Sequence, residues 1–156
     1  MEGRIGLAAV LLLVVLSGCT AEQKSAEFLP LETTIAHVID GDTIITAGGE
    51  HVRLIGINST ERGKECYEEA DEKLRALVLG KNVRLEMGEE LRDKYGRMLA
   101  YVYVGDEGSG TFINMEMVKG GWAYAYPYKP NTKFAHEFAA AEESARKAGA
   151  GCLWGN

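Results

Sequence analysis

The sequence predicts an α+β fold built on a small five-stranded β-barrel that carries three helices. Three observations lead there. Five short segments are rich in β-branched and apolar residues and are bounded by turn signals. One of them, His51–Ile57, is apolar on both faces, as a strand inside a closed barrel must be. The order is three strands, a helix, two strands and two further helices, a segregated rather than alternating arrangement.

Each element has its own local reason. Thr33–Ile39 alternates weakly and reads as the first strand. Asp40-Gly41 turns the chain into Thr43–Thr46, the second strand, and Gly48-Gly49 turns that into His51–Ile57, the third. Asn58–Gly63 leaves it as a loop. Cys66–Leu79 reads as a helix, because Tyr67, Ala70, Leu74, Leu77 and Val78 recur at helical spacing and Gly80 stops it. Val83–Met87 and Met98–Val104 are the fourth and fifth strands, joined by the polar loop Gly88–Arg97. Phe112–Lys119 is a short helix closed by Gly120-Gly121, and Trp122–Tyr128 is extended and aromatic. Thr132–Ala148 is the third helix, with Phe134, Phe138, Ala141, Ala145 and Ala148 as its buried stripe.

The start of the chain reads differently. Ile5–Leu16 is apolar but short for a bilayer span, and suits the core of a signal peptide. Leu16-Ser17-Gly18-Cys19 resembles a lipobox, in which Cys19 carries the lipid. An ordinary cleaved signal and a short membrane anchor fit the same run. The expected organisation is a signal segment over 1–19, a small polar tether over 20–30, and a folded domain over 31–156 that sits outside the cytoplasm as a membrane-tethered monomer. With Cys19 lipidated, Cys66 and Cys152 are left as an even pair. In an oxidising compartment they are expected to bridge and tie the first helix to the C-terminal tail. Two buried free thiols are the other arrangement open to them.

The net charge of −6 over 156 residues argues against a broad basic surface for nucleic acid. Any polyanion site has to be a local positive pocket on an acidic body. The stretch Val38–Glu61 offers one. It holds Asp40, Asp42 and Glu61, with the oxygens of Asn58 and Ser59, around Arg53. Arg53 is embedded among Val52, Leu54 and Ile57, where a charge is costly unless an anion meets it. Acids beside an arginine point to a metal ion and a phosphate. Donors that are all oxygen favour a hard cation. His37, His51 and His136 are scattered and read as surface or barrel-rim residues. Tyr124, Tyr126 and Tyr128 alternate along an extended segment, either to stack bases or to pack barrel against helix. Glu68, Glu69, Asp71 and Glu72 read as a solvated helix face.

In order and spacing these segments resemble the staphylococcal nuclease (thermonuclease) family. The matching residues are Ile39-Asp40-Gly41-Asp42-Thr43, Arg53-Leu54-Ile55-Gly56-Ile57, Glu61, Asp93-Lys94-Tyr95-Gly96-Arg97, Leu99-Ala100-Tyr101, Asn114, Tyr128-Lys129-Pro130-Asn131 and the Leu153-Trp154 ending. The resemblance spans roughly residues 33 to 155. It implies an OB-fold barrel and a Ca²⁺-dependent endonuclease acting on DNA or RNA with low sequence specificity and leaving 3′-phosphate ends. It implies Asp42 as the principal metal carboxylate, Asn58 and the Ser59 carbonyl as further ligands, and Asp40 in the outer shell. Glu61 takes the place of the general base, and Arg53 and Arg97 those of the phosphate-gripping arginines. Lys94, Tyr95, Tyr126 and Tyr128 match positions lining the nucleotide pocket. This chain departs from the pattern in having Asn58 where an aspartate is usual, Thr60 where proline is usual, and a shorter stretch after Glu61. A non-catalytic OB-fold that binds nucleic acid or protein is the competing expectation.

Overall fold

A computed structural model of the chain describes residues 31–106 and 108–155. The expected signal segment over 1–19, with Cys19, and the expected tether over 20–30 lie outside the described residues. Five strands close the barrel: β1 (Leu31–Asp40), β2 (Thr43–Thr46), β3 (His51–Leu54), β5 (Asn82–Arg92) and β6 (Met98–Val104). The strands run β3-β2-β1-β5-β6, and a parallel pairing of β3 with β6 shuts the ring. Every other neighbour in it is antiparallel. Closure removes the free sheet edge. β3 is apolar on one face only: Val52 and Leu54 are buried, whereas His51 is exposed and Arg53 half-buried, so the expectation of two apolar faces does not hold. The fold class and the five-stranded barrel are as the sequence predicts.

Three helices of at least seven residues pack around the barrel: α1 (Tyr67–Val78), α2 (Ile113–Lys119) and α3 (Ala135–Ala148). A fourth, α4 (Gly151–Trp154), is a single turn that the sequence reading missed. Ala70, Leu74 and Val78 of α1, Ile113, Met117 and Val118 of α2, and Phe138 of α3 join Ile44, Val52, Leu54, Leu85 and Val102 in one core. Among the described residues no helix is long and apolar enough to cross a membrane.

Two local departures from the expected elements shape the site. The third strand does not run through to Ile57. It stops at Leu54, and Gly56, at φ +79°, turns the chain into the two-residue β4 (Ile57–Asn58). A Cβ at Gly56 would strike the Phe138 ring, so glycine is required twice over, for its backbone and for its lack of a side chain. The two-residue β7 (Thr111–Phe112) pairs antiparallel with the end of β6, while β4 leaves the barrel and pairs with β8 (Tyr124–Ala125). The buried Asn114 side chain fastens this bend, donating to Ile55 O at 2.8 Å and accepting from Val102 N at 2.9 Å. The second departure is β5, which continues to Arg92 through residues expected to be loop. Its extension is held from outside: Glu90 N donates to Asn131 Oδ1 at 2.9 Å, and Asn131 Nδ2 donates back to Glu90 O at 3.0 Å. A tertiary clamp of this kind leaves no trace in local periodicity.

Candidate active site

Asp42 starts the site. It sits in the turn between β1 and β2, where Asp40 Oδ1 accepts from its backbone N at 3.1 Å. Both oxygens of its own carboxylate have partners. Oδ1 accepts from Thr43 Oγ1 at 3.0 Å and pairs with Arg53 Nε at 3.0 Å. Oδ2 accepts from Ser59 N at 2.8 Å and Ser59 Oγ at 3.1 Å. The side chains of Arg53 and Asp42 are only 13% and 9% exposed. Burial presses the Asp40 carboxyl above the usual aspartate range, and the nearby charge of Asp42 adds to that push.

Arg53 is the hub of the wall. Besides Asp42 it donates to the Leu54 carbonyl and, through one terminal nitrogen, to Asn58 Oδ1 at 3.0 Å. Burial lowers its ordinary value; Asp42 opposes this, and the charge of Arg97 adds to it. Two of Arg53's five N–H groups donate hydrogen bonds and Nε faces Asp42 in the ion pair, so one N–H on each terminal nitrogen is left over. Asn58 completes the wall: with Oδ1 facing Arg53, its Nδ2 donates to the Ser59 carbonyl at 3.2 Å.

Arg97 approaches from the start of β6. Asp93, at the opposite end of a tight turn, accepts from Arg97 Nε at 2.7 Å and from Arg97 N at 3.0 Å. A weaker contact runs from Arg97 to Thr43 Oγ1 at 3.4 Å. Burial alone would raise the Asp93 carboxyl, but the bonds from Arg97 and from the Tyr95 and Arg97 amides hold it below the usual range. Parallel pairing of Arg53 with Leu99 sets Arg97 beside Arg53 although they are distant in sequence.

A cleft of about 590 Å³ gathers these groups. Its lining contains every site residue that the sequence reading proposed in the folded domain. Asp40, Asp42, Arg53, Asn58 and Ser59 form the inner wall, with Arg97 beside them. Glu61, Lys94, Tyr95, Tyr126 and Tyr128 stand at the rim. Tyr95 is 72% exposed and Tyr126 51%, so both rings are open to a ligand. Lys94 and Arg97 each lie over the Tyr95 ring, at 5.0 and 5.5 Å. Tyr124 is different: it packs edge-on against Trp154.

The sequence reading passed over Asp93 and Tyr67, which also line the cleft. Asp93 could have been found from its spacing, since an aspartate four residues before an arginine across Tyr95-Gly96 is a turn that folds one onto the other. Cys66 and Cys152 are joined in a disulfide, with Cα atoms 5.2 Å apart.

The donors are all oxygen, which suits a hard cation. Asp40 and Asp42 crowd together, with Asp40 already pushed toward its neutral form, which a cation would relieve. Backbone and amide oxygens lie beside them, without sulfur or imidazole. Among the described residues no group of three or more His, Cys, Asp or Glu side chains is placed to hold a metal ion together, so few carboxylates are available to one here.

A closed barrel of this topology, with acids and two arginines converging on one side, defines a phosphate-handling OB-fold domain. The chain belongs to the staphylococcal nuclease family: the model described as "Staphylococcal nuclease homologue" matches residues 51–156. It is 38% identical to the thermonuclease of Staphylococcus intermedius over 72% of this chain and 70% of that protein. It is 34% identical to the thermonuclease of Staphylococcus hyicus over the same shares. It is also 33% identical to an uncharacterized endonuclease of Haemophilus influenzae, over 93% of this chain and 74% of that one.

Proposed function

We propose that this protein is a calcium-dependent nuclease that hydrolyses phosphodiester bonds of DNA or RNA with low sequence specificity and leaves 3′-phosphate ends. One observation carries the reading: Asp42, Arg53, Glu61 and Arg97, from separate strands and loops, line a single cleft. The family and the thermonuclease and endonuclease names of its relatives support the same class of chemistry.

Asp42, the Ser59 carbonyl and Asn58 would hold the calcium ion, with Asp40 in the outer shell. When bound, the ion supplies fixed positive charge beside the scissile phosphate. The free N–H groups of Arg53 and Arg97 donate to the equatorial phosphate oxygens and offset the charge that grows there in the transition state. A guanidinium fork suits this better than an ammonium. Glu61 takes a proton from a water aligned with phosphorus. Arg97, or a water near it, helps the leaving 5′-oxygen. Lys94 meets a flanking phosphate, and Tyr95, Tyr126 and Tyr128 give bases a surface tolerant of sequence.

Digestion of DNA with calcium, with a chelator, and by Glu61→Gln tests the mechanism. Activity is expected with calcium alone, and loss of about 10²-fold or more in the other two arms. Activity that survives both would overturn it. Export and lipidation at Cys19 would place a monomeric enzyme on the outer side of a membrane. Incorporation of a labelled fatty acid that disappears in Cys19→Ala tests that part.

A further inference from the structure

Glu61, assigned above to the water, is the least supported residue of the cleft. It belongs to a loop in which residues 61–65 are all exposed. Among the described residues its carboxylate has no hydrogen-bond or ion-pair partner, and Gly63 stands at φ +79°. Only two backbone bonds organise the loop: Lys64 N donates to Glu61 O at 3.0 Å, and Tyr67 N donates to Lys64 O at 3.3 Å. They make two linked turns, so the position of Glu61 depends on what holds each end of them.

The near end is fixed by Ser59, which donates twice to buried Asp42. The far end is the start of α1, and there an ordinary anchor is missing. The residue preceding α1 is Cys66, which offers no side-chain cap to the helix. It also sits at φ 70°, in the left-handed region that a residue with a Cβ adopts only when its surroundings enforce it. An uncapped first turn frays. Cys66 is nevertheless only 4% exposed, and it is bonded to Cys152. Cys152 in turn lies in α4, which is docked on the end of α2: Leu153 N donates to Gly121 O at 3.1 Å, and a Cβ at Gly121 would collide with Ala150. One hydrogen-bonded dock and one covalent bridge therefore lead from the end of α2 to the foot of the Glu61 loop.

From this we infer that the Cys66–Cys152 bridge is a positioning device for Glu61, replacing the helix cap that α1 lacks. This rests on the nuclease reading and says which part of the fold sets the orientation of its base. Misplacing a catalytic group by about 1 Å can cost about 10²-fold in rate.

The test uses the full chain with Cys66→Ala and Cys152→Ala together, which adds no capping side chain, below its melting temperature and with its fold checked by circular dichroism. The inference expects kcat to fall by about 10- to 100-fold with KM unchanged. It expects no further loss when the cysteines are removed from Glu61→Gln. Without calcium or substrate, tryptic cleavage at Arg62 and Lys64 is expected to accelerate at least several-fold relative to cleavage at Lys81. Unchanged kcat in the folded variant, or an equal loss in the Glu61→Gln background, overturns it. If the double variant does not fold, inserting two glycines between Gly63 and Lys64 decides the matter with the bridge intact: a similar fall in kcat supports the inference, and full activity refutes it. A wild-type protein that cuts no DNA with calcium refutes the nuclease reading instead, while the proteolysis arm still reports on the anchor.

Discussion

The two sides of the cleft are built on opposite principles. The inner wall of Asp42, Arg53, Asn58 and Ser59 is an interlocked set whose polar atoms answer one another, largely out of water. The rim of Glu61, Lys94, Tyr95, Tyr126 and Tyr128 is exposed and sparsely bonded. The wall is therefore part of what holds the barrel together and the rim is not. A wall residue should register in both stability and rate, a rim residue in rate or affinity alone.

Arg53→Ala should show the largest effect. It removes a phosphate donor and leaves Asp42 buried without its counter-charge, a change that commonly costs about 3–5 kcal/mol. The expected result is a loss of about 10²-fold or more in kcat together with a clear drop in the metal-free melting temperature. Glu61→Gln should lose as much activity at an unchanged melting temperature. If the two variants melt alike, the contrast between wall and rim is wrong.

Removing Tyr126 or Tyr128 as alanine should raise KM for single-stranded substrate by the equivalent of about 1–3 kcal/mol per base contact, with the melting temperature unmoved. Asn58→Asp sharpens the comparison from inside the wall. It restores a carboxylate and removes the amide now donating to the Ser59 carbonyl. Calcium affinity, read from the shift in melting temperature across buffered calcium concentrations, should rise by about tenfold; an unchanged affinity would mean that Asn58 is no ligand.

The smallest effect is one of pH. Bonds from Arg97 and two amides hold Asp93 below its ordinary range against the opposing effect of burial. Its contribution to stability is thus present above the unfolded value of about 3.9 and is lost as pH falls through the lower folded value. Asp93→Asn should melt below wild type at pH 6–7, and the gap should close in strong acid. A gap that widens toward acid would contradict this.

Legibility in the sequence followed how local each feature is. β2 and β6 match their expected bounds because turn signals flank clear apolar runs. The break at Gly56 was hidden, because its cause is the Phe138 ring arriving from the other end of the chain. The extension of β5 was hidden because Asn131 holds it. α4 is too short to carry a period. Arg53 was legible as a charge in an apolar run, whereas Arg97, Lys94 and Tyr95 entered only through the family resemblance; all of them line the same cleft. The pairings among the site residues were less legible. Asp93's grip on Arg97 and the triple engagement of Arg53 depend on which strands meet, and that is a property of closure.

That closure also dictates when the molecule becomes dangerous. The seam between β3 and β6 joins segments far apart along the polypeptide, and such distant pairings form late because much chain must be ordered first. A nascent polypeptide that has emerged only as far as Lys81 already contains Asp42, Arg53 and Glu61, yet has neither the second arginine nor the strand that brings it alongside. A chain that stops short of β6 therefore lacks half of the arginine pair on which the proposed hydrolysis depends.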